Sequence, residues 1–264
     1  MKTIRSRDNA LVKQLIALAH SSHERKKAGL TVLDGIHLVR TYIETVGEPV
    51  AVMIGEAAQD RPEVVELSGR CQHAKQSLFA DPLMAAASSL DSPAFLMAIV
   101  STPVSQAIPE DTDVVLALED VQDPGNVGSM LRSAAAAGVK HIALSSTCAF
   151  AWSPKVLRAA QGAHFSLNIS EGLDLMEFIR RMQGQSLALV PSGAKTKSLF
   201  ETDLRNPTVL LIGNEGAGLS HGLAAVASDR VTIPMPGKIE SLNAAAAGAI
   251  CLFELVRQRQ IARR

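Results

Sequence analysis

The sequence has few aromatic residues, few cysteines and no net charge. Of its 264 residues one is Trp, one is Tyr and seven are Phe, and the three cysteines lie far apart without a C-x-x-C pair. This cysteine pattern excludes a disulfide scaffold, argues against a structural zinc site and is typical of a reducing compartment. The apolar content of 47% excludes a disordered chain, and the length allows one large core or two smaller ones.

The sequence also lacks a long hydrophobic run. The longest apolar segment, residues 244–253, is far shorter than the roughly 20 residues that a membrane span needs. The N-terminal sequence MKTIRSRDNA is charged and no apolar segment follows it, so no signal peptide is evident. We therefore expect a cytoplasmic protein without a membrane partner.

The zero net charge conceals an uneven distribution. Residues 1–40 have a balance of +5, residues 41–123 of −11 and residues 124–264 of +6. Neutrality argues against a nucleic-acid partner, because phosphate binding usually requires a basic excess. The two basic ends favour an anionic partner instead, but an ordinary solvated surface explains the same distribution, so charge alone leaves both interpretations open.

The apolar pattern predicts two α/β domains, over residues 1–105 and 112–264, with a boundary in the proline-containing segment 101–112. In the first domain we predict helices at 9–20, 36–46 and 62–69, strands at 31–35 and 50–55, and a loop that holds the basic cluster 25–27. The second domain alternates strands with helices, among them the strand 114–121 and the helices 127–137 and 153–163. Continuous apolar strands separated by helices predict a parallel sheet covered on both faces.

Ligands of parallel sheets bind at the carboxyl ends of the strands, and three loops of the second domain occupy such positions. The first loop contains a turn at 123–126 and is followed by a helix that carries Arg132. Asn126 and Arg132 are six residues apart, so they converge only if Asn126 caps the helix while Arg132 projects from its side. A helix cap and a solvent-exposed arginine explain each residue taken alone.

The second loop, residues 213–219, has three glycines within six residues, which implies close backbone approach to a ligand or to another chain segment. Its order, G-x-x-G-x-G, differs from the dinucleotide fingerprint, and no Lys-Ser/Thr follows as a P-loop requires. Glu215 could accept hydrogen bonds from a ligand, pair with an arginine, or hold the loop through backbone N–H groups.

The third loop, residues 233–243, runs into a helix whose first two turns consist almost entirely of alanine. Its Ser241-Leu242-Asn243 start offers N–H and hydroxyl groups to a polar ligand or to a helix cap. Small residues here allow close packing against the first loop or across a dimer interface. From the residues alone, the three loops predict a small-molecule site of unspecified chemistry.

Together the three loops resemble the signature motifs of the SpoU/TrmH family of RNA methyltransferases, in the SPOUT superfamily. The matching segments are DPGNVGSMLRSAAAAGV (123–139), LIGNEGAGLS (211–220) and IPMPGKIESLNAAAAGAICLFE (233–254). Residues 1–105 resemble the RNA-binding domain often fused ahead of this catalytic domain. The chain departs from the family at 244–246, where Ala-Ala-Ala replaces Val-Ser-Val, and at Trp152, where relatives often carry a small residue or Cys and where the wall near the substrate would change.

The resemblance implies that S-adenosyl-L-methionine donates a methyl group to a ribose 2′-hydroxyl of RNA, with ribosomal RNA favoured over transfer RNA and with no metal. The implied fold is α/β: a C-terminal parallel-sheet SPOUT domain with a deep trefoil knot, behind a small N-terminal substrate-binding domain. It also implies a homodimer in which the Arg132 of one subunit reaches the cofactor of the other.

The resemblance assigns a role to each matching site residue. Arg132 stabilises the developing alkoxide, because a guanidinium keeps its proton, while Asn126 and Glu215 orient Arg132 or the substrate. Five further positions match polar or cofactor-holding positions of the family: Ser241 and Asn243 in the active site, and Gly213, Ile233 and Leu242 against the adenosine.

Three alternatives remain open: a transfer-RNA 2′-O-methyltransferase, a non-catalytic RNA-binding or ribosome-assembly factor, and a metabolic α/β enzyme that binds a nucleotide. The joint presence of Arg132, Glu215 and Asn243 argues against the second, and the glycine order without a phosphate-binding lysine argues against the third. The shortage of aromatic residues predicts RNA recognition through phosphates, shape and hydrogen bonds rather than base stacking. Because the chain has no net charge, non-specific RNA binding should be weak and steeply salt-dependent.

Overall fold

The computed structural model describes residues 3–88, 95–193, 195–239 and 241–261. In chain order the strands are β1 (Thr3–Ile4), β2 (Leu30–Asp34), β3 (Ala51–Gly55), β4 (Lys75–Phe79), β5 (Leu96–Ser101), β6 (Val114–Leu118), β7 (His141–Leu144), β8 (Asn168–Ser170), β9 (Gln185–Leu189), β10 (Lys197–Ser198), β11 (Thr208–Ile212) and β12 (Asp229–Thr232). The helices are α1 (Ala10–His20), α2 (Ser22–Ala28), α3 (Ile36–Thr45), α4 (Pro62–Gly69), α5 (Asp81–Ala87), α6 (Pro124–Ala136), α7 (Pro154–Ala160), α8 (Leu175–Arg181), α9 (His221–Val226) and α10 (Ala244–Ile261). Within these ranges no helix has the length and hydropathy needed to cross a membrane.

The chain forms two compact units, and one of them is discontinuous in sequence. The first comprises Met1–Val104 and Trp152–Phe165, and the second comprises Ser105–Ala151 and Ser166–Arg264. The division near residue 104 falls inside the proline-containing segment. The sequence pattern places the helix at 153–163 in the second domain, but the structure places it, as α7, in the first unit.

Contacts within the first unit explain the position of α7. The helix packs against β2, and the Thr31 hydroxyl donates to the carbonyl oxygen of Trp152 at 2.6 Å. The ring of Phe165 meets the ring of Tyr42 edge-on, with centroids 5.2 Å apart. Helical spacing predicts that α7 buries one face but not which sheet it covers, so the sequence pattern could not assign it.

The first unit contains a five-stranded mixed sheet in the order β1-β4-β3-β5-β2. Strands β1, β3 and β4 run parallel, and β5 pairs antiparallel with both β2 and β3. Helix α1 begins after Asn9, whose side-chain oxygen accepts from the backbone N–H of Leu11 at 2.9 Å. Its apolar face, including Leu15 and Leu18, packs into the core with Phe79 of the sheet.

The basic cluster at residues 25–27 lies in helix α2, so the predicted loop is wrong. Arg25 is 5% exposed, and its Nη1 donates to the carbonyl oxygens of Leu18 at 2.7 Å and Ala19 at 3.2 Å, near the C-terminal end of α1. Burial lowers the pKa of Arg25 below its ordinary value. This guanidinium holds two helices together and does not face a phosphate partner.

The second unit is built on a seven-stranded sheet in which every strand pair is parallel, as predicted. The order is β10-β12-β9-β11-β6-β7-β8. Strands β6 and β11 are buried along their whole length, which explains their continuous apolar sequences. Because β6, β9, β11 and β12 are consecutive neighbours, the loops at their carboxyl ends lie side by side.

Helix α6 begins at Pro124, three residues before its predicted start. Its N-cap is Asp123, whose Oδ1 accepts from the backbone N–H of Asn126 at 2.8 Å. Asn126 therefore lies inside the first turn, and the idea that it caps the helix is wrong. Proline at the first helical position and a carboxylate at the cap are both favourable at a helix start.

Candidate active site

A cavity of about 240 Å³ opens at the carboxyl ends of β9, β11 and β12. Three apolar strand ends form its base, and the glycine loop after β11 and the start of α10 form its rim. The residues that border it are Leu189, Val190, Pro191, Ile212, Gly213, Asn214, Glu215, Gly216, Ala217, Gly218, Thr232, Ile233, Met235, Ser241, Leu242, Ala244 and Ala247.

Five of the eight predicted site residues border this cavity. They are Gly213, Glu215, Ile233, Ser241 and Leu242. Asn126 and Asn243 do not border the cavity, but Asn126 donates a hydrogen bond to Glu215 and Asn243 donates one to Asn126. Arg132 neither borders the cavity nor joins this chain of hydrogen bonds.

Gly213 marks the closest approach of backbone to backbone in the site. A Cβ added to it would lie 2.2 Å from the carbonyl carbon of Gly218 and 2.2 Å from the amide nitrogen of Leu219. The loop turns back on itself, because the Asn214 N–H donates to the Gly218 carbonyl oxygen at 3.0 Å and the Gly218 N–H donates to the Asn214 carbonyl oxygen at 2.9 Å. The close approach predicted from the glycine spacing is therefore a contact of the loop with itself.

A chain of side-chain hydrogen bonds joins the three loops. Asn243 Nδ2 donates to Asn126 Oδ1 at 2.8 Å, and Asn126 Nδ2 donates to Glu215 Oε1 at 2.9 Å. At its far end Asn243 Oδ1 accepts from the backbone N–H groups of Ala245 and Ala246, at the start of α10. An ionised carboxylate only accepts, so Glu215 fixes the orientation of the Asn126 amide, which in turn fixes that of Asn243.

The carboxylate of Glu215 is held in its charged form. Partial burial alone would raise its pKa, but hydrogen bonds from the Asn126 side chain and from backbone N–H groups outweigh that effect and lower it. The backbone donors include Asp123, whose N–H lies 3.2 Å from Oε1. The site therefore carries a fixed negative charge at neutral pH.

Small residues let α10 pack closely on α6 and β11. A Cβ on Gly248 would lie 2.9 Å from Ile212 Cδ1 and 3.2 Å from Met130 Sδ. This contact brings the start of α10, with Asn243, next to the start of α6, with Asn126. The sequence leaves two packing partners open for α10, the first loop or a second subunit. The structure shows α10 packed against α6, the helix that follows the first loop.

Neither Arg132 nor Trp152 is among the residues that line the cavity. Arg132 is exposed on α6, and its side chain makes no hydrogen bond or ion pair with any residue in the described ranges. Six residues of α-helix turn through about 240° from Asn126, so the two side chains leave the helix on different faces. Trp152 is buried in the first unit and does not border the cavity.

The three cysteines are free thiols, and each has a raised pKa. Burial raises the pKa of Cys251 to about 12 and is also the main cause of the raised values at Cys71 and Cys148. Each therefore stays protonated at neutral pH and is a poor nucleophile. In the described part of the chain, no three His, Cys, Asp or Glu residues are grouped so that they could hold a metal ion.

The model of the SpoU rRNA Methylase family matches residues 113–253, which is more than half of the chain. The chain belongs to the SpoU rRNA methylase family. The matched segment includes every predicted site residue, and it also spans α7, which the fold assigns to the first unit.

Members of the SpoU family match almost the full length of the chain. An uncharacterised tRNA/rRNA methyltransferase of Synechocystis is 32% identical, over 97% of this chain and 94% of the relative. The 23S rRNA (uridine(2479)-2′-O)-methyltransferase of Streptomyces viridochromogenes is also 32% identical, over 95% of this chain and 91% of the relative. The solved structure of the SpoU methyltransferase AviRb from that organism, in complex with the cofactor AdoMet, matches with a TM-score of 0.83 and 30% identity over 96% of this chain and 98% of that chain.

Two residues of this SpoU-family site were missed by the sequence reasoning. Asn214 borders the cavity and hydrogen-bonds to Asp120, which follows β6 and has a φ of 53°. Asn214 stands between Gly213 and Glu215, two residues that the family motif predicts for the site. A polar residue next to a glycine-rich turn is a signal for side-chain-to-backbone bonding that could have identified it.

Proposed function

We propose that this protein transfers the methyl group of S-adenosyl-L-methionine to a ribose 2′-hydroxyl of ribosomal RNA in the cytoplasm. One observation carries the proposal: the loops of the second and third family motifs border one cavity, and Asn126 of the first motif donates a hydrogen bond to the ionised Glu215 on its rim. The similarity to an AdoMet-bound methyltransferase over nearly the whole chain supports the same assignment.

The residues of the cavity fit the proposed cofactor. The side chains of Leu189 and Ile233 provide apolar surface for a flat purine, and the glycine loop offers backbone N–H and C=O groups beside it. We assign Gly213, Ile233 and Leu242 to the adenosine. Bound there, S-adenosyl-L-methionine would supply an electrophilic methyl group on a sulfonium, a transfer that depends mainly on alignment of the reacting atoms.

The polar residues of the site orient the reactants. Asn126 holds Glu215 in place, and Glu215 can accept from an arginine or from the ribose. Ser241, on the rim, is placed to contact the ribose, while Asn243 fixes Asn126. A guanidinium near the 2′-oxygen would stabilise the negative charge that develops there, and Arg132 is the residue we assign to this role.

We further propose that the enzyme is a homodimer in which each cavity receives the Arg132 of the other subunit. Within one chain Arg132 projects from a different face of α6 than Asn126 and is exposed. A second copy would supply the missing cation to a site that otherwise holds only the acidic partner. The site of a single chain is incomplete in this sense.

The first unit is assigned to RNA binding. It carries the basic N-terminal segment, and the first 104 residues lie ahead of the family-matched segment. The named relative that acts on 23S rRNA matches this region too, because its alignment covers 95% of the chain. This favours ribosomal over transfer RNA as the substrate.

We also propose that the C-terminal segment forms a deep trefoil knot. The small residues of α10, among them Gly248 against Ile212 and Met130, allow the close backbone passage that threading requires. An experimental map traced from residue 208 to residue 261 tests this. A path that threads an earlier loop supports the knot, and an unthreaded path contradicts it.

Transfer of labelled methyl tests the function. The purified full-length chain, incubated with labelled S-adenosyl-L-methionine, is expected to label ribosomal RNA as 2′-O-methylnucleosides, with little label in transfer RNA. Arg132→Ala should abolish transfer. Label in transfer RNA alone would favour the tRNA enzyme, and calorimetry without any cofactor binding would favour a non-catalytic assembly factor.

A further inference from the structure

The glycine loop at residues 213–218 is held by a side chain that has no part in the proposed reaction. Asn214 Oδ1 accepts from the backbone N–H groups of Gly216 and Ala217, both at 2.9 Å. Its Nδ2 donates to the backbone oxygen of Asp120 at 2.8 Å and to Asp120 Oδ2 at 3.3 Å. A primary amide has two N–H bonds to donate and one oxygen with two lone pairs, so these four bonds use its full capacity.

Because every hydrogen-bonding group of its amide is used, Asn214 has a positioning role rather than a binding role. It borders the cavity, yet it has no donor or acceptor left with which to contact a ligand. Its bonds run instead along the loop that carries Glu215 and across to the segment after β6. Asn214 is therefore built to position other groups rather than to bind one itself.

Asp120 is held in an unusual conformation that makes it a suitable partner. Its φ of 53° lies in the left-handed region, which Asp and Asn enter more readily than most L-residues. Its N–H donates to Ser145 Oγ at 3.0 Å, and its Oδ1 accepts from Gln122 Nε2 at 2.9 Å. A strained backbone conformation of this kind persists where several contacts hold it in place. Asp120 also provides both of the oxygens that accept from Asn214 Nδ2, its backbone oxygen and its Oδ2.

We propose that Asn214 and Asp120 form a clamp that fixes the glycine loop and thereby sets both cofactor affinity and the position of Glu215. The proposal rests on the function proposed above and adds two positioning residues to it. The clamp ties the segment after β6 to the loop after β11, so it acts through Glu215 and the loop backbone rather than on the reacting atoms.

Asn214→Asp tests the clamp because it keeps the shape of the side chain but replaces its donor with an acceptor. The new carboxylate would face that of Asp120, and like charges in contact repel. We expect the dissociation constant for S-adenosyl-L-methionine to rise about tenfold or more, and amide hydrogen exchange over residues 213–218 to quicken in the unliganded protein.

The double variant Asn214→Asp with Asp120→Asn reverses the two chemical roles and restores one donor–acceptor pair. On a logarithmic scale, the double variant should recover at least half of the cofactor affinity that Asn214→Asp loses. Asp120→Asn alone should lose less affinity than Asn214→Asp, because the amide oxygen of the new asparagine can still accept a hydrogen bond. Asn206→Asp, at an exposed position two residues before β11, is the matched control and should bind the cofactor as the unaltered chain does.

Two results would overturn the clamp. One is an Asn214→Asp protein with unchanged affinity for S-adenosyl-L-methionine and unchanged amide hydrogen exchange over residues 213–218. The other is a double variant whose loss of cofactor affinity equals the sum of the losses in the two single variants. A purely structural role would lower the melting temperature without changing the affinity of the folded protein. Absence of methyl transfer by the unaltered chain would overturn the proposed function instead, while the exchange measurement would still test the clamp.

Discussion

At the scale of single residues, the site depends on a chain of hydrogen bonds, and the charged carboxylate of Glu215 determines which group donates and which accepts along it. Glu215 accepts from Asn126, Asn126 accepts from Asn243, and Asn243 caps α10. The sequence motifs could nominate all three residues, because each stands at a strand end or at a helix start. They could not show the order of the bonds, which requires that α6 and α10 be in contact.

The lowered pKa of Glu215 makes a prediction about pH. Its charged form is stabilised by donors, so activity should hold down to a pH below the ordinary value of about 4.5 and fall as the pH drops through the lowered pKa. Asn126→Ala removes the side-chain donor, which raises that pKa and moves the acidic limb of kcat/KM to higher pH. An acidic limb that stays in place in Asn126→Ala would show that Glu215 does not titrate in the reaction.

Gly213→Ala should disable the site through backbone overlap. The added Cβ would meet backbone atoms of Gly218 and Leu219, which cannot move aside as a flexible side chain can. We expect a loss of about 2 kcal/mol or more in the free energy of unfolding, measured with urea, and loss of cofactor binding. Gly193→Ala in the loop after β9 is the control, since its Cβ would meet no atom of the described residues within 4 Å, and equal losses in both variants would contradict this explanation.

At the scale of elements, the sequence predicts structure well where neighbouring residues determine it, as at helix caps and in apolar strands. Asn9 and Ser153 cap the helices that begin after them, and the apolar runs of the second unit are parallel strands. Helix α2 was missed because its sequence, SHERKKA, has no apolar face. The placement of α7 was missed for a different reason, since a tertiary contact decides which sheet a helix covers.

Thr31→Val should show how firmly α7 belongs to the first unit. Valine keeps the shape of the buried threonine but leaves the Trp152 carbonyl oxygen without its 2.6 Å donor. An unsatisfied buried acceptor costs about 1–3 kcal/mol, which urea unfolding would detect. Thr45→Val, in the exposed part of α3, should cost no more than about 0.5 kcal/mol, and similar costs for the two variants would contradict the inferred role of Thr31.

At the scale of the whole molecule, neutrality and RNA chemistry are compatible because the charge is segregated. Residues 1–40 and 124–264 have net charges of +5 and +6, and residues 41–123 between them have −11. The net charge of zero therefore does not describe the charge of any one segment. The first basic segment is less available than its sequence indicates, since Arg25 is buried between helices. We therefore expect weak non-specific RNA binding that weakens steeply with salt, measurable as the slope of affinity against salt concentration. An affinity that hardly changes with salt would contradict this.

Mixing two inactive variants tests whether Arg132 acts across a dimer. Arg132→Ala and Glu215→Gln each disable every site in their own homodimers, and glutamine can still accept the bond from Asn126. If the arginine acts in the other subunit, each mixed dimer regains one intact site. An equal mixture with free exchange should then recover about a quarter of full activity. No recovery, with mixed dimers shown to form, would place Arg132 in its own subunit's site.

The central claim, 2′-O-methylation of ribosomal RNA, is tested most directly by mapping 2′-O-methyl sites in cells that lack the gene. We predict that a 2′-O-methyl group in 23S ribosomal RNA is lost, that the intact gene restores it and that the Arg132→Ala form does not. Ribosomal RNA that keeps every 2′-O-methyl group in the deletion strain would contradict the claim.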